Sequence, residues 1–275
     1  MAVVWRPLHV RHSALTEGQH EGVPAHLSAL LWEWVNEHVT SGGNYQADRI
    51  RLLALMARLP IEVGGNSIDA YSSLQWGCLN NEQGFLNVVD AILVVQGDRR
   101  NAQDVDKLRQ YLSLANSAWT ASPDNSCLTR RVDPTAEAAA VEAVRPSDAA
   151  SEELAEAWRK AYGRDPDGSD AWDHSIKAVE HIYKPIVSPK NDRATLGTII
   201  RDLENSQHLY KFVLRKADGS EVGYFLSTLR MLWPNPDRHG SGQTTSVSLA
   251  EAQSAVQLAV TLVQWGRTSS LSRRP

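Results

Sequence analysis

Residues 169–180 read SDAWDHSIKAVE, and apolar side chains in and beyond this stretch recur in alternating steps of four and three. These side chains are Trp172, Ile176, Val179, Tyr183 and Ile186. Polar side chains, including His174, Lys177 and His181, fill the positions opposite them. Because an α-helix turns once every ~3.6 residues, the spacing predicts one long helix with a buried apolar face and a polar face.

Three more helices are predicted after this one. Residues 196–203 place their apolar side chains on one helical face, and a further apolar helix is predicted over residues 224–233, where Pro234 ends it. The last helix begins at Ser248, which has Glu251 at capping-box spacing, and its sequence is apolar on nearly every side. The last helix is therefore expected to be central to a core or to a dimer contact.

The chain before residue 169 also reads mainly at helical period. Apolar stripes predict helices over residues 27–35, 50–59, 67–76, 85–95 and 104–115, and two more helices are predicted over 134–144 and 147–162. Between residues 118 and 132, two short alternating segments flank a cluster of turn-forming residues, and this pattern predicts a β-hairpin. An isolated hairpin is marginally stable in water, so this one must pack on helices.

The predicted fold class is mainly α: a helical N-terminal region with a small β-hairpin, followed by a four-helix C-terminal domain. The boundary is placed at Arg145-Pro146-Ser147, because one helix ends there and Ser147-Asp148 can cap the next. The predicted domains are residues 1–146 and 147–266. The tail, residues 267–275, carries arginines among serines and is predicted to be frayed.

The composition excludes several classes of function. Hydrophobic residues make up 42% of the 275 residues, and the formal net charge of -4 provides no global basic field, so any contact with RNA must be local. No uninterrupted apolar run reaches the roughly 18 residues of a membrane span, so a cytoplasmic protein without a membrane partner is expected. Two cysteines, Cys78 and Cys127, suffice neither for a disulfide framework nor for a zinc site.

A polar loop, Asp237-Arg238-His239-Gly240, separates the third and fourth predicted C-terminal helices. Four helices in this order, with an arginine and a histidine in that loop, resemble the HEPN domains of prokaryotic abortive-infection proteins. Besides the loop, the resemblance is carried by residues 169–180, 194–200, 229–230 and 248–256. The segments 116–119 and 128–132 also resemble the small hairpin of AbiJ-type proteins in this family.

This resemblance implies a metal-independent endoribonuclease, a toxin-type protein of phage–host conflict that needs no cofactor and acts on RNA as a homodimer through its C-terminal helices. It also implies a phage or host protein as a second kind of partner. The chain departs from the family in one respect. The usual arginine precedes the histidine by a few residues, whereas Arg230 lies further upstream of His239 and Arg238 is adjacent to it. A catalytically degenerate module that binds RNA or a protein is therefore the alternative.

Metal-free cleavage of RNA requires removal of a 2′-hydroxyl proton, protonation of the leaving oxygen, and positive charge at the phosphate. His239 can carry out either proton transfer, because the ordinary pKa of histidine lies near ~6.5. Arg238 or Arg230 can hold the phosphate, and Asn235 or Asp237 can orient the histidine. The structural alternative is a loop that caps the final helix, with Arg230 in a surface salt bridge.

Four further residues are candidates for contact with the substrate. Asn235 lies in the loop, and His174, Lys177 and His181 share one face of the helix over residues 170–186. A solvated polar face explains the last three equally well. The two histidines stand seven residues apart, which is too long for metal chelation across one helical turn, so no metal site is predicted.

Two other readings of the glycine-containing motifs are set aside. Arg-His-Gly also occurs in histidine phosphatases, but there it follows a buried strand, whereas here it follows Trp233-Pro234-Asn235-Pro236 in a helical chain. The glycine pairs at residues 64–65 and 240–242 lack the lysine and the strand of a phosphate-binding loop, so nucleotide hydrolysis is not expected.

Overall fold

The computed structural model describes residues 18–61, 65–97, 101–217, 219–238 and 246–274. Within these residues the chain is mainly helical, with small two-stranded antiparallel sheets, as the sequence predicts. It divides into two compact units, one ending at Arg131 and the other beginning at Val132, and each has a hydrophobic core of its own. No helix in the described ranges is long and apolar enough to cross a membrane.

In the first unit, five described helices form where the apolar stripes predict them. Their bounds are α1 Ala25–Val39, α2 Ala47–Met56, α3 Ser67–Asn80, α4 Glu82–Gln96 and α5 Ala102–Leu114. Helix α1 contacts each of the other four, and its Leu31 and Trp34 are fully buried in the core. Helix α1 is therefore the central element of this unit.

The predicted hairpin is confirmed as β3 (Trp119–Ala121) and β4 (Leu128–Arg130), after a short pair β1 (Thr40–Ser41) and β2 (Asn44–Tyr45). The turn is held by the Ser122 hydroxyl, which accepts from the backbone amides of Ser126 (2.9 Å) and Cys127 (3.1 Å). The Leu128 amide donates to the Asp90 carboxylate on α4 at 2.6 Å. This bond attaches the hairpin to a helix, which supplies the packing that a marginal hairpin needs.

The second unit contains the remaining helices of the described residues. Their bounds are α6 Pro134–Val144, α7 Ala149–Tyr162, α8 Gly168–Val187, α9 Leu196–Asn205, α10 Glu221–Leu232 and α11 Leu249–Arg267. Helix α8, which contains the amphipathic stretch 169–180, packs against α7, α9, α10 and α11. Its Tyr183 is fully buried and donates a hydrogen bond to the Leu262 carbonyl of α11 at 2.8 Å. The amphipathic helix is thus the centre of this core.

The prediction of a frayed tail is wrong. Residues Leu271–Arg273 form strand β6, which pairs antiparallel with β5 (Tyr210–Phe212), and Leu271 is buried. Arg274 donates from Nε to the Tyr210 carbonyl at 2.7 Å and forms an ion pair with the buried Glu221 at 3.2 Å. The tail is ordered because a strand distant in sequence satisfies its backbone, which the serine-rich composition does not reveal.

The boundary predicted at residues 145–147 lies inside the second unit, between α6 and α7. Ala140 and Ala143 of α6 are buried in the second core, and the Gln264 side chain of α11 donates to the Ala139 carbonyl at 2.8 Å. Helix α6 belongs to the second unit because its small apolar face packs on α7 and α11.

Candidate functional site

The loop between α10 and the 3₁₀ turn Pro236–Arg238 is fixed by one buried side chain, Asn235, which is 1% exposed. The Asn235 amide donates to the Ser169 carbonyl at 3.2 Å and to the Asp173 carboxylate at 2.8 Å. The Asn235 side-chain oxygen accepts from the Asp237 backbone amide at 3.1 Å. We call residues 233–238 the anchored loop, since two hydrogen bonds from the Asn235 side chain hold it to the first turns of α8 and a third bonds it to its own backbone.

Asn235 was predicted to contact the substrate, and its burial argues for a different role. A side chain with almost no exposed surface, whose amide and oxygen are already bonded within the protein, positions the loop and does not face a ligand. A further hydrogen bond attaches the end of α10 to α8: the Trp172 indole of α8 donates to the Leu232 carbonyl at 2.7 Å. The end of α10 and the anchored loop are therefore both fastened to α8.

The other loop candidates are only partly described. His239 lies outside the described residues, and of Arg238 only the backbone, in the 3₁₀ turn, is described. Asp237 lines a cleft of about 390 Å³ together with Lys160, Asp167 and Ser246. The Lys160 ammonium in this cleft lies 2.7 Å from the Asp170 carboxylate. The cleft borders the anchored loop and contains both charge types.

Arg230 has a partner elsewhere. Its guanidinium on α10 lies 2.8 Å from the Glu204 carboxylate on α9, and both side chains are about half exposed. This is the surface salt bridge that the structural interpretation of the sequence anticipates. Exposed pairs of this kind contribute little to stability, roughly 0–1 kcal/mol. Of the two candidate arginines, Arg230 is thus already paired with a carboxylate, and Arg238 is the one adjacent to His239 in the sequence.

Two of the three candidates on α8, His174 and Lys177, face helix α7 and not the anchored loop. His174 Nδ1 lies 2.5 Å from the Glu153 carboxylate of α7, and Lys177 Nζ lies 4.0 Å from the same group. His181 is exposed. Ser169 and Asp173, which bond Asn235, directly precede Asp170 and His174, which pair with side chains of α7. One position along a helix corresponds to a rotation of about 100°. The residues that hold the anchored loop and those that pair with α7 thus lie on adjacent faces of α8.

One cluster on α7 and α8 has the composition of a metal site. Carboxylate oxygens of Glu156 and Asp170 and a ring nitrogen of His174 lie within 4.8 Å of one another. Each acid already has a cation beside it, because Arg159 Nε donates to Glu156 at 3.0 Å and Lys160 pairs with Asp170. We propose no metal here. The signal missed in the sequence is the spacing of four between Asp170 and His174, which places both on one helical face.

No family model, curated protein or solved structure matches this chain. Its own residues provide an anchored loop that leads into His239, a neighbouring cleft with mixed charge, and an ion-pair network on α7 and α8.

The ion-pair network should make the second unit sensitive to acid through Asp170. The Lys160 ammonium, hydrogen-bonded to Asp170, holds the pKa of Asp170 below its ordinary value. A pKa that is lower in the folded than in the unfolded state contributes stability above the unfolded value, about 3.9, and this contribution is lost as the pH falls through the folded value. We expect the melting temperature of the wild type to fall more between pH 7 and pH 3 than that of Asp170→Asn.

The matched control is Asp165→Asn, because Asp165 is exposed and has no ion pair among the described residues. It should show the same acid sensitivity as the wild type. An equal fall in melting temperature for the wild type and Asp170→Asn would contradict the role of this pair.

Proposed function

We propose that the second unit acts on RNA as a toxin-type endoribonuclease of phage–host conflict, with a HEPN-like centre at Arg238 and His239. The observation that carries the proposal is the buried Asn235, which bonds Asp173 of the central helix α8 and also bonds the backbone amide of Asp237, the residue before Arg238. Reactive groups on loops need such rigid support, because a displacement of about 1 Å can cost about 100-fold in rate. The HEPN resemblance of the sequence supports the same assignment.

In this proposal the two proton transfers and the charge come from different side chains. His239 exchanges a proton with the 2′-hydroxyl or with the leaving oxygen, since both of its protonation states are accessible near neutral pH. The Arg238 guanidinium holds the phosphate through paired hydrogen bonds. Arg230 contributes less, because Glu204 already neutralises it. No step requires a metal ion.

The test is single-turnover cleavage of a structured RNA in the presence of EDTA. We expect His239→Ala to slow cleavage at least about 100-fold, which is the contribution of a positioned acid or base. His208→Ala is the matched control, because His208 is an exposed histidine of the same unit and lies outside the site. Equal cleavage by the wild type and His239→Ala would remove the proposal.

A second candidate function is a non-catalytic module that binds RNA or a protein partner. The Arg230–Glu204 ion pair favours it, because a carboxylate beside the arginine upstream of His239 repels a phosphate. This candidate is supported if the wild type binds RNA at low salt without cleaving it, and if Arg238→Gln weakens that binding. Cleavage that depends on His239 would rule it out.

We further propose that the protein is a homodimer through helices of the second unit, and α10 is the best-supported contact. Tyr224 and Met231 of α10 are 55% and 69% exposed, and their spacing of seven places them on one helical face. A charge at the centre of an apolar contact costs at least about tenfold in affinity. We expect Met231→Glu to raise the dimer dissociation constant by that factor in sedimentation equilibrium.

The control for this expectation is Val94→Glu, which adds the same charge at a half-exposed apolar position of the first unit. It should leave the dissociation constant unchanged. A wild-type protein that sediments as a monomer at every concentration would contradict the dimer.

A further inference from the structure

Positive charge is concentrated in one part of the second unit. Residues 181–221 and 271–274 contain nine lysines and arginines and five aspartates and glutamates, which gives them a net charge of +4. Because the whole chain carries -4, the remaining residues together carry -8. A contact with RNA must therefore be local, and this segregation of charge provides a local basic field in an otherwise acidic chain.

Described contacts bring these segments together where α8 ends. The Tyr210 hydroxyl of β5 donates to the Ile186 carbonyl of α8 at 3.3 Å, and β6 pairs with β5. Arg273 of β6 lies over the Tyr210 ring and lines a cleft of about 530 Å³ together with Lys190, which follows α8. We call residues 181–221 and 271–274, of which all but Asp218 are described, the basic end.

Most carboxylates of the basic end are paired, whereas several of its cations are not. Three of its four described carboxylates are in ion pairs, namely Asp202 with Arg201, Glu204 with Arg230 and Glu221 with Arg274. Exposed cations without an ion pair among the described residues include Lys190, Lys211, Arg215 and Arg273. Because the net charge of +4 already counts every acid of the basic end, this excess is available to an anionic partner.

The unpaired cations lie on both sides of the ribbon that β5 and β6 form. In the strand register Lys211 directly follows Tyr210, which is opposite Arg273. Successive residues of a strand point to opposite sides, so Lys211 points away from the side on which Arg273 covers the Tyr210 ring. A flat anionic lipid surface can contact only one side of the ribbon, whereas a flexible nucleic-acid strand can pass around its edge. The arrangement therefore favours a linear polyanion.

We propose that the basic end binds the phosphate backbone of single-stranded RNA, at a contact separate from the anchored loop. The choice of RNA as the polyanion rests on the proposed ribonuclease function. The anchored loop is bonded to Asp173 in the first turns of α8, and Ile186, which bonds the ribbon, lies thirteen residues further along. At a rise of about 1.5 Å per residue the two contacts stand about 20 Å apart along α8, so only an RNA of several nucleotides reaches both.

The test is equilibrium binding of a fluorescent RNA of about 20 nucleotides to the full chain at several salt concentrations, with 2′-O-methyl groups that prevent cleavage. We expect affinity to fall with salt, because each neutralised phosphate of a single strand contributes about 0.7 to the slope of log affinity against log salt. Lys211→Gln combined with Arg215→Gln should reduce this slope by about 1.4. Lys190→Gln combined with Arg273→Gln should reduce it by the same amount.

Arg58→Gln is the matched control, because Arg58 is an exposed arginine of the first unit without an ion pair among the described residues. It should leave the slope unchanged. A dinucleotide cannot reach both contacts, so the wild type and both double variants should cleave it at the same rate. Failure of dinucleotide cleavage therefore bears on His239, and failure of RNA binding bears on the basic end.

Circular dichroism confirms whether each variant is folded. The proposal is overturned if the wild type does not bind the RNA at low salt, or if either folded double variant keeps the wild-type slope. It is also overturned if the wild type binds vesicles that contain phosphatidylserine but not the RNA, because the basic end would then be a lipid-binding surface.

Discussion

Replacing Asn235 with alanine is expected to slow RNA cleavage by about 100-fold, although Asn235 does not touch the substrate. The substitution removes all three hydrogen bonds that hold the anchored loop to α8 and to its own backbone. The loop that leads into His239 then loses its fixed position, and loss of orientation of this kind costs about 100-fold in rate. The measurement is the single-turnover rate at saturating RNA.

The same substitution should destabilise the protein only moderately, by about 1–3 kcal/mol, because it leaves the Asp173 carboxylate and the Ser169 carbonyl without this donor. Asn205→Ala is the matched control, since Asn205 is an exposed asparagine at the end of α9. It should change neither the rate nor the stability. A folded Asn235→Ala variant with the wild-type rate would show that the anchor has no functional role.

Tyr183→Ala is expected to have the largest effect on stability. Tyr183 is fully buried in α8, its ring centroid lies 5.2 Å from that of Phe225 on α10, and its hydroxyl bonds α11. Truncation of a buried aromatic side chain leaves a cavity and costs about 3–5 kcal/mol. We expect the free energy of unfolding of the second unit to fall by that amount in urea titration.

Two further variants separate the contribution of the buried ring from that of the hydroxyl and from truncation at an exposed position. Tyr183→Phe keeps the ring and removes only the hydrogen bond to Leu262, so it should cost about 1 kcal/mol. Leu214→Ala truncates an apolar side chain of the same unit that is 58% exposed, and it should cost almost nothing. If Tyr183→Ala were no more destabilising than Leu214→Ala, α8 would not be the centre of this core.

The helices could be predicted from the sequence because helical period is a local property. The stretch 169–180 shows its apolar face within a few turns, and Ser248 and Glu251 form the capping box that their spacing predicts. The hairpin was predictable for the same reason, since its turn residues are contiguous. In each case the signal lies within one element.

The features that escaped prediction depend on partners distant in sequence. Asn235 lies 66 residues from Ser169 and 62 from Asp173, so nothing near it in the chain indicates that it is buried. Strand β6 forms only because β5 lies beside it. Glu156 joins Asp170 and His174 from another helix. The salt bridge of Arg230 was anticipated in kind, but its partner Glu204 could not be named.

The central claim is that the anchored loop serves His239, and a double-mutant cycle on RNA cleavage tests it most directly. Residues that act as a unit have effects that do not add. Asn235→Ala should therefore slow the wild-type protein about 100-fold, yet slow the His239→Ala protein by less than about threefold. An additional 100-fold loss in the His239→Ala background would contradict the account, because the loop anchor and the histidine would then act independently.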